Sequence, residues 1–275
     1  MKDKYAVIGN PIAHSKSPQI HAAFAIQTAH QLSYEAVLAP LDGFAATVQD
    51  LIVQGYKGAN ITVPFKFEAF ALCDHLSERA LAAGAVNTLT FAAGNINGDN
   101  TDGAGIINDI TLNLAHDLQA TQILVLGAGG AAQGVMLPLL NANPSSITIA
   151  NRSLEKAHFM VQKFAANHAI CNIAVCSFEK LTAPFLMQPF DVVINATSTG
   201  LTETALNLSD EIFSVKTLAY DMMYGIETPF MAQARAAGAQ VSEGLGMLVE
   251  QAAEAFYIWR GVRPAAAPVI AMLRS

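Results

Sequence analysis

The sequence predicts an α/β fold in two domains, and three observations carry that prediction. Strand-like apolar runs and helix-like stretches alternate almost from end to end of the 275 residues, the pattern of parallel sheets joined by right-handed crossovers. The alternation restarts more cleanly after residue 102. The restarted series opens on an apolar run, Ile123-Leu124-Val125-Leu126, that passes straight into Gly127-Ala128-Gly129-Gly130 and a helix. A strand, a glycine-rich turn and a helix in that order are the context of a dinucleotide fingerprint. The second domain therefore reads as a doubly wound, Rossmann-type unit.

In the first domain, residues 5–8 form a short apolar strand ending at Gly9, and a helix is predicted over 18–31. A strand over 34–38, a helix over 44–53, a strand over 58–63 and a helix over 65–73 follow. Residues 87–91 are β-like, Gly94-Asn95 is a turn, and 97–101 reads as a polar segment. A helix over 103–114 leads to buried-type strands over 122–126, 146–150, 172–175, 191–194 and 217–220, with helices running to 140 and over 154–166 and 229–237. The last helices, 245–259 and 264–273, follow the final strand and are expected to pack back on the first domain. That makes the first domain discontinuous, 1–102 with 243–275, and leaves 103–242 to the second. No Pro/Ser-rich linker, repeat or low-complexity tract marks the boundaries.

Composition narrows the possible functions. With 52% hydrophobic and 13% charged residues, the chain can bury a large core and does not resemble a disordered protein. A mean hydropathy of +0.35 would suit a membrane protein, yet no stretch approaches the roughly 18 uninterrupted apolar residues of a spanning helix. The excess comes from alanine. A net charge of -7 argues against nucleic acid, which needs a basic stripe, and means that an anionic ligand must be held by local cations or backbone amides. The N-terminal MKDKYAVIGN carries Lys2, Asp3 and Lys4 before a short apolar run, a poor secretory signal, so the cytoplasm is expected. Cys73, Cys171 and Cys176 are an odd, sparse set that fits free, buried thiols in a reducing compartment. No His-x3-5-His accompanies them, so they read as core packing and no metal site is expected.

The cofactor signal is specific in its physics. Gly127 makes the tight turn, Gly129 lets the backbone approach a pyrophosphate, and the helix start offers free N–H groups to it. Ala132 fills the third small position. The next strand ends in Asn151-Arg152-Ser153, with Lys156 about one turn into the following helix. An NAD site usually carries an acid at that corner to hold the ribose 2′-hydroxyl, and here the nearest, Glu155, lies later in the helix. Arg152 can stack on adenine and pair with a 2′-phosphate while Lys156 adds charge. NADP is preferred over NAD.

The first domain carries short polar clusters at the ends of its β-elements. In Ser15-Lys16-Ser17-Pro18, Ser17 reads as a helix N-cap and Pro18 as the first helical residue, which leaves Ser15 unexplained. Asn60 and Thr62 share one face of a strand by period two. Lys66 begins a helix, where the positive end disfavours it, a placement that hints at function. Asn87-Thr88 and Asp99-Asn100-Thr101-Asp102 complete the set. By spacing and propensity alone, these clusters read equally as polar turns or as parts of one site.

The runs GNPIAHSKSP at 9–18, GANITVPFK at 58–66, GAVNT at 84–88, GDNTDG at 98–103, GAGGAA at 127–132, Asn151-Arg152, NATS at 195–198, YDMMY at 220–224 and GLGMLVEQA at 244–252 resemble the signature segments of the shikimate dehydrogenase family, in order and over essentially the whole chain. The resemblance implies an N-terminal α/β substrate domain and a Rossmann-type NADP domain with a cleft between them. It implies reversible, NADPH-dependent reduction of 3-dehydroshikimate to shikimate in aromatic amino-acid biosynthesis, by a monomer or homodimer. Matching positions imply Lys66 and Asp102 as the catalytic pair, and Ser15, Ser17, Thr62, Asn87, Tyr224 and Gln251 as substrate contacts. Cofactor contacts would be Gly127, Ala128, Gly129, Gly130, Ala131, Asn151, Arg152, Ser153 and Lys156, with Met222, Gly246 and Glu78. One departure stands out: Lys156 occupies a place where the family often has Arg, so the NADP preference rests mainly on Arg152. A broader quinate/shikimate dehydrogenase is one competing reading. It is disfavoured by the serine pair and by the missing acid after the second cofactor strand. A non-catalytic NADP-binding sensor is another, and the joint presence of Lys66, Asp102, Asn87 and Gln251 speaks against it.

Overall fold

A computed structural model describes residues 2–165, 171–181, 188–197 and 206–275. Ala166, the expected last residue of one helix, and Ser198 of the 195–198 run lie outside the described residues. The chain divides into two compact units, Met1–Gly105 with Leu248–Ser275, and Ile106–Met247.

In the first unit, β1 (Asp3–Gly9) lies between two parallel partners. They are β2 (Leu32–Leu38), reached through α1 (Ser17–Gln27), and β3 (Tyr56–Ile61), reached through α2 (Phe44–Val53). A strand buried on both faces has no solvent side to alternate with, which is why Tyr5-Ala6-Val7-Ile8 is apolar without a break. Next come α3 (Lys66–Leu72), β4 (His75–Leu76), α4 (Glu78–Ala83), β5 (Thr88–Ala92), β6 (Asn95–Asp99) and α5 (Asp102–Asn108), and the strands line up as β2-β1-β3-β5-β6-β4.

The expectation of parallel pairing holds for β2-β1-β3 and for β4 with β6 but fails at β5, which runs antiparallel to both β3 and β6. Ala93 and Gly94 join β5 to β6 with φ of 52° and 80°, and two successive left-handed residues make the tight hairpin whose twist suits its strands. The polar segment expected over 97–101 is largely β6. There Asn95, Asn97 and Asp99 alternate with buried Ile96 and Gly98, a period of two carried by only one large apolar residue. Strand β4 is too short to show any period. Helix α4 is defined by its ends: the Ser77 hydroxyl accepts from the Ala80 N–H at 3.2 Å, and Gly84 closes it in the left-handed region.

Ser17 is not the N-cap of α1. That position belongs to Lys16, which makes no side-chain cap, while the Ser15 hydroxyl accepts from the Ser17 N–H at 3.3 Å. This local turn is one that serine favours. The helix stops at Gln27, four residues before the expected 31, where Thr28 donates its hydroxyl to the Phe24 carbonyl and Ala29 turns left-handed.

In the second unit, the expected helix over 103–114 is split, with α5 giving way to a π-helical turn at Asp109–Asn113. Then follow β7 (Gln122–Leu126), α6 (Gly130–Asn141), β8 (Ser146–Ala150), α7 (Leu154–Ala165), β9 (Asn172–Cys176), β10 (Val192–Asn195), β11 (Leu218–Asp221), α8 (Pro229–Ala236) and β12 (Gln240–Glu243). All six strands are parallel in the order β12-β11-β10-β7-β8-β9. This is the doubly wound order, and the winding reverses between β7 and β10. The polar sequence of β12 hid it from the sequence reading.

Two helices end the chain, α9 (Leu245–Arg260) and α10 (Ala267–Arg274). Val249, Ala252, Phe256, Val269 and Ile270 from them share a core with Tyr5, Ile20 and Phe24. Charge reinforces this packing. Arg79 holds Asp99 with two hydrogen bonds, at 2.6 and 2.9 Å, and reaches Glu254 at 2.9 Å; Arg263 continues the chain to Glu254 and Glu250. Burial alone would raise the Asp99 carboxyl, but hydrogen bonds from Arg79 and Ser77 hold it below its usual range. The three cysteines are free and half-buried where full burial was expected, with Cys73 and Cys176 packed against the cores of their units. Burial pushes the Cys73 thiol up to about 11.

His21 is the exception in the aromatic part of this core. It is fully buried, stacks on Tyr34 at 4.1 Å and 6°, and neither ring nitrogen meets a hydrogen-bond partner among the described residues. Burial lowers its pKa to about 3, with the nearby Asn60 side chain opposing the shift. The unfolded chain takes up a proton near 6.5 and the folded chain only near 3, so the stabilising effect is complete above 6.5 and is lost as pH falls toward 3. Between those values the wild type is expected to lose up to about 1.4 kcal/mol of stability per pH unit more than His21→Phe, which keeps a ring in the stack. Denaturant unfolding from pH 7 to 4 measures this, and parallel curves would show that His21 is not held neutral.

Candidate active site

Two helix starts meet in the first unit. Lys66 is the first residue of α3 and Asp102 the first of α5. A helix start favours the carboxylate and opposes the ammonium, and the two are joined directly: Lys66 Nζ donates to Asp102 Oδ2 at 2.6 Å, with side chains 31% and 16% exposed.

Backbone contacts fix both ends. The Phe65 N–H donates to the Thr62 carbonyl in the turn after β3, and the Val86 N–H donates to the Lys66 carbonyl at 2.9 Å. Buried Asn100 uses its Oδ1 to accept from the Asp102 N–H at 3.1 Å and its Nδ2 to donate to the Ala85 carbonyl at 3.0 Å. Asn87, just before β5, donates from Nδ2 to Asp102 Oδ1 at 2.8 Å. Each carboxylate oxygen of Asp102 therefore has its own donor.

The remaining expected site residues of this unit fall into two groups. Gln251 comes close to the pair through its Oε1, 3.5 Å from Asn87 Nδ2 and 3.4 Å from the Thr101 hydroxyl, while its Nε2 donates to the Leu248 carbonyl at 2.7 Å. Ser17 is buried and Ser15 half-buried, held together by their turn. Thr62 lies one residue beyond the end of β3, its N–H donating to the Ile8 carbonyl. A side chain at Gly9 would strike Thr62 Cγ2 at 2.5 Å. Glu78 is exposed at the first position of α4, on a separate element from the pair.

In the second unit, β7 runs into Gly127, whose φ of +105° demands glycine. A Cβ there would also lie 3.2 Å from the Ala196 carbonyl at the end of β10. The turn thus sits at the C-terminal ends of β7 and β10, where the winding reverses and where such sheets take ligands. Among the described residues, nothing stands within 4 Å of where a Gly129 Cβ would be, and Gly130 starts α6 with Ala131 exposed beside it. Ala128, Gly129, Asn151, Arg152, Ser153 and Lys156 line one open pocket. The Asn151 side chain donates to the Ser153 carbonyl at 2.9 Å, shaping the corner, and the Arg152 and Lys156 side chains are exposed. Backbone donors, a vacant Cβ position and two cations suit a phosphorylated dinucleotide.

Met222 and Tyr224 follow β11 and are half-buried, and burial raises the Tyr224 hydroxyl. Gly246 is buried against the Asp109 carboxylate. Asn195 and Asp221 tie the ends of β10 and β11 together at 2.9 Å. Sequence reasoning assigned no role to Thr88 and Thr101, which the structure places beside Asn87. Their signal was only their adjacency to Asn87 and Asp102.

Comparison with known proteins agrees with this geometry. The family profile described as shikimate dehydrogenase substrate binding domain matches residues 7–89, shikimate / quinate 5-dehydrogenase matches 109–212, and shikimate 5′-dehydrogenase C-terminal domain matches 244–274. A shikimate dehydrogenase (NADP(+)) of Methylobacillus flagellatus is 57% identical over 99% of both chains. An Ael1 enzyme from Pseudomonas putida superimposes with a TM-score of 0.92 at 45% identity, over 99% of this chain and 98% of the other. The Thermus thermophilus shikimate 5-dehydrogenase in complex with NADP(H) and shikimate gives 0.86 at 31% identity, again over 99% and 98%. The chain belongs to the shikimate dehydrogenase family.

Proposed function

We propose that Lys66 and Asp102 together perform the acid–base step of this chain's reaction, and the observation that carries the reading is their 2.6 Å contact with Asn87 on the other carboxylate oxygen. The chain is an NADP-dependent oxidoreductase that reversibly reduces 3-dehydroshikimate to shikimate, within aromatic amino-acid biosynthesis. NADPH, when bound, supplies the hydride for the carbonyl carbon.

Negative charge then gathers on the carbonyl oxygen, and a donor within hydrogen-bond reach must stabilise and protonate it. Lys66 does both. Asp102 orients the ammonium and accepts from a neighbouring substrate hydroxyl, so the proton belongs to the pair as a unit. Ser15 and Ser17 receive the substrate carboxylate as neutral donors, and Thr62, Asn87, Tyr224 and Gln251 meet its hydroxyls. A site of this kind rejects analogues that lack a hydroxyl, because its own polar atoms are left unpaired.

For the cofactor, Gly127, Ala128, Gly129, Gly130 and Ala131 present backbone N–H groups to the pyrophosphate. Asn151, Arg152, Ser153 and Lys156 take the adenosine 2′-phosphate end, and Met222, Gly246 and Glu78 complete the set. Residues 1–102 with 243–275 form the substrate and catalytic domain and 103–242 the NADP domain. The protein works in the cytoplasm as a monomer or homodimer. Among the described residues, no helix is long and apolar enough to cross a membrane.

Two substitutions test this assignment. Lys66→Ala is expected to lower kcat about a hundredfold or more while KM for shikimate moves only a few fold, followed by NADPH absorbance. Turnover surviving within a few fold would exclude Lys66. Arg152→Ala is expected to raise KM for NADP roughly 10- to 100-fold, the value of a charge-assisted contact, and to leave KM for NAD nearly unchanged. Equal loss with both cofactors would remove Arg152 from the 2′-phosphate site.

A further inference from the structure

Next to the catalytic pair lies a line of buried hydrogen bonds whose direction is set by the groups at its ends. Asn87 Oδ1 accepts from the backbone N–H of Thr101 at 2.9 Å. A backbone N–H can only donate, so the atom facing it must be the amide oxygen, and the amide nitrogen must face Asp102. The same logic fixes Asn60, whose Nδ2 lies 3.2 Å from the backbone carbonyl of Asn87. A carbonyl can only accept, so Asn60 Oδ1 points away and takes the Tyr34 hydroxyl at 2.8 Å.

Thr88 stands between the two amides. It accepts from Asn60 Nδ2 at 3.0 Å and gives its single hydroxyl hydrogen to the nearer of two oxygens, Asn87 Oδ1 at 2.8 Å against the Thr101 hydroxyl at 3.4 Å. Every donor in the sequence Tyr34, Asn60, Thr88, Asn87 points toward Asp102. Hydrogen bonds aligned in this way polarise and strengthen one another. Asn60, Asn87 and Thr88 are 5%, 2% and 0% exposed, so solvent cannot replace a missing partner.

We propose that Thr88 and Asn60 are positioning residues for the Lys66–Asp102 pair: they hold the Asn87 amide so that it occupies one carboxylate oxygen of Asp102 and leaves the other for Lys66. Thr88 has no exposed surface and so does not touch the substrate. They act through Asn87 on the plane of the Asp102 carboxylate, and thus on where the ammonium points. The proposal rests on the assignment of Lys66 and Asp102 as the acid–base pair.

The test is a series at position 88 in the full-length enzyme, with Lys66→Ala assayed alongside. Thr88→Val keeps the shape and removes the hydroxyl, leaving Asn87 and Asn60 each short of a partner; kcat is expected to fall roughly tenfold with KM for NADP unchanged. Thr88→Ser restores the hydroxyl and is expected to return kcat to within about twofold of wild type. Should Thr88→Val fail to fold, Thr88→Cys against Thr88→Ser carries the comparison, the weak thiol donor giving the lower kcat. A kcat in Thr88→Val equal to wild type, or in Thr88→Cys equal to Thr88→Ser, overturns the proposal. So does a Thr88→Val defect that Thr88→Ser does not rescue, or one that raises KM for NADP in parallel, as loosened packing would. If Lys66→Ala keeps its turnover, the catalytic assignment is what has failed; if Lys66→Ala is inactive and the position 88 series is flat, only the positioning role has.

Discussion

A buried amide is costly unless each of its polar atoms finds a partner, and Asn87 meets that requirement in one orientation. Much of the first unit is arranged to supply those partners. The β5–β6 hairpin brings Thr101 and Asp102 beside Asn87, and the backbone of Asn87 is paired to Asp99 and Ile61 on either side. The antiparallel departure from a plain crossover sheet thus has a chemical consequence. It carries the chain back within a few residues, so that residues 87 and 102, from opposite ends of one hairpin, share a carboxylate contact. A right-handed crossover would have spent a dozen residues on a helix and left them a strand apart.

The second unit obeys a constraint of backbone and not of side chain. At the end of β7 the chain must turn sharply beside the end of β10, and the left-handed conformation of Gly127 is the means. The helix that follows begins with N–H groups that no backbone carbonyl inside the helix can satisfy. An anion is one natural partner for them, and the exposed cations Arg152 and Lys156 stand on the neighbouring strand's exit. The first unit uses its helix starts differently. There Asp102 meets its helix start with a favourable charge, whereas Lys66 is held at an unfavourable one by the carboxylate opposite.

What the sequence made legible follows from how strongly each feature repeats. Buried parallel strands such as β7 and β8 are unbroken apolar runs between glycine or polar stops, and their bounds were read without error. Strands β4, β6 and β12 were lost because half-exposed strands carry few apolar residues, and β4 has only two residues of any kind. Of the candidate site, the glycine turn and its basic corner could be derived from residue types, because their context is local. The convergence of Lys66, Asn87, Asp102 and Gln251 could not, since they are separated by up to 185 positions (251 − 66) and no periodicity links them; resemblance to a family supplied what residue chemistry left open. Thr88 and Asn60 stood in the polar clusters of the first domain without a role, because a buried hydroxyl between two amides looks in sequence like any other threonine.

Glycines show how the same residue carries different information in two places. A side chain at Gly246 would put its Cβ 1.9 Å from Asp109 Oδ1. That carboxylate is itself committed to the Tyr220 hydroxyl at 2.6 Å and to Asn113 at 3.0 Å. Gly244 is equally confined, with a Cβ 2.4 Å from the Met222 carbonyl. Packing accounts for both, so the absence of a side chain there says nothing about a ligand. Gly129 differs. Its φ of -87° is open to any residue, and among the described residues a Cβ would meet nothing within 4 Å. Among the described residues, neither the backbone nor packing asks for glycine at that position. The open backbone there leaves room for a molecule to lie where a methyl group would otherwise stand.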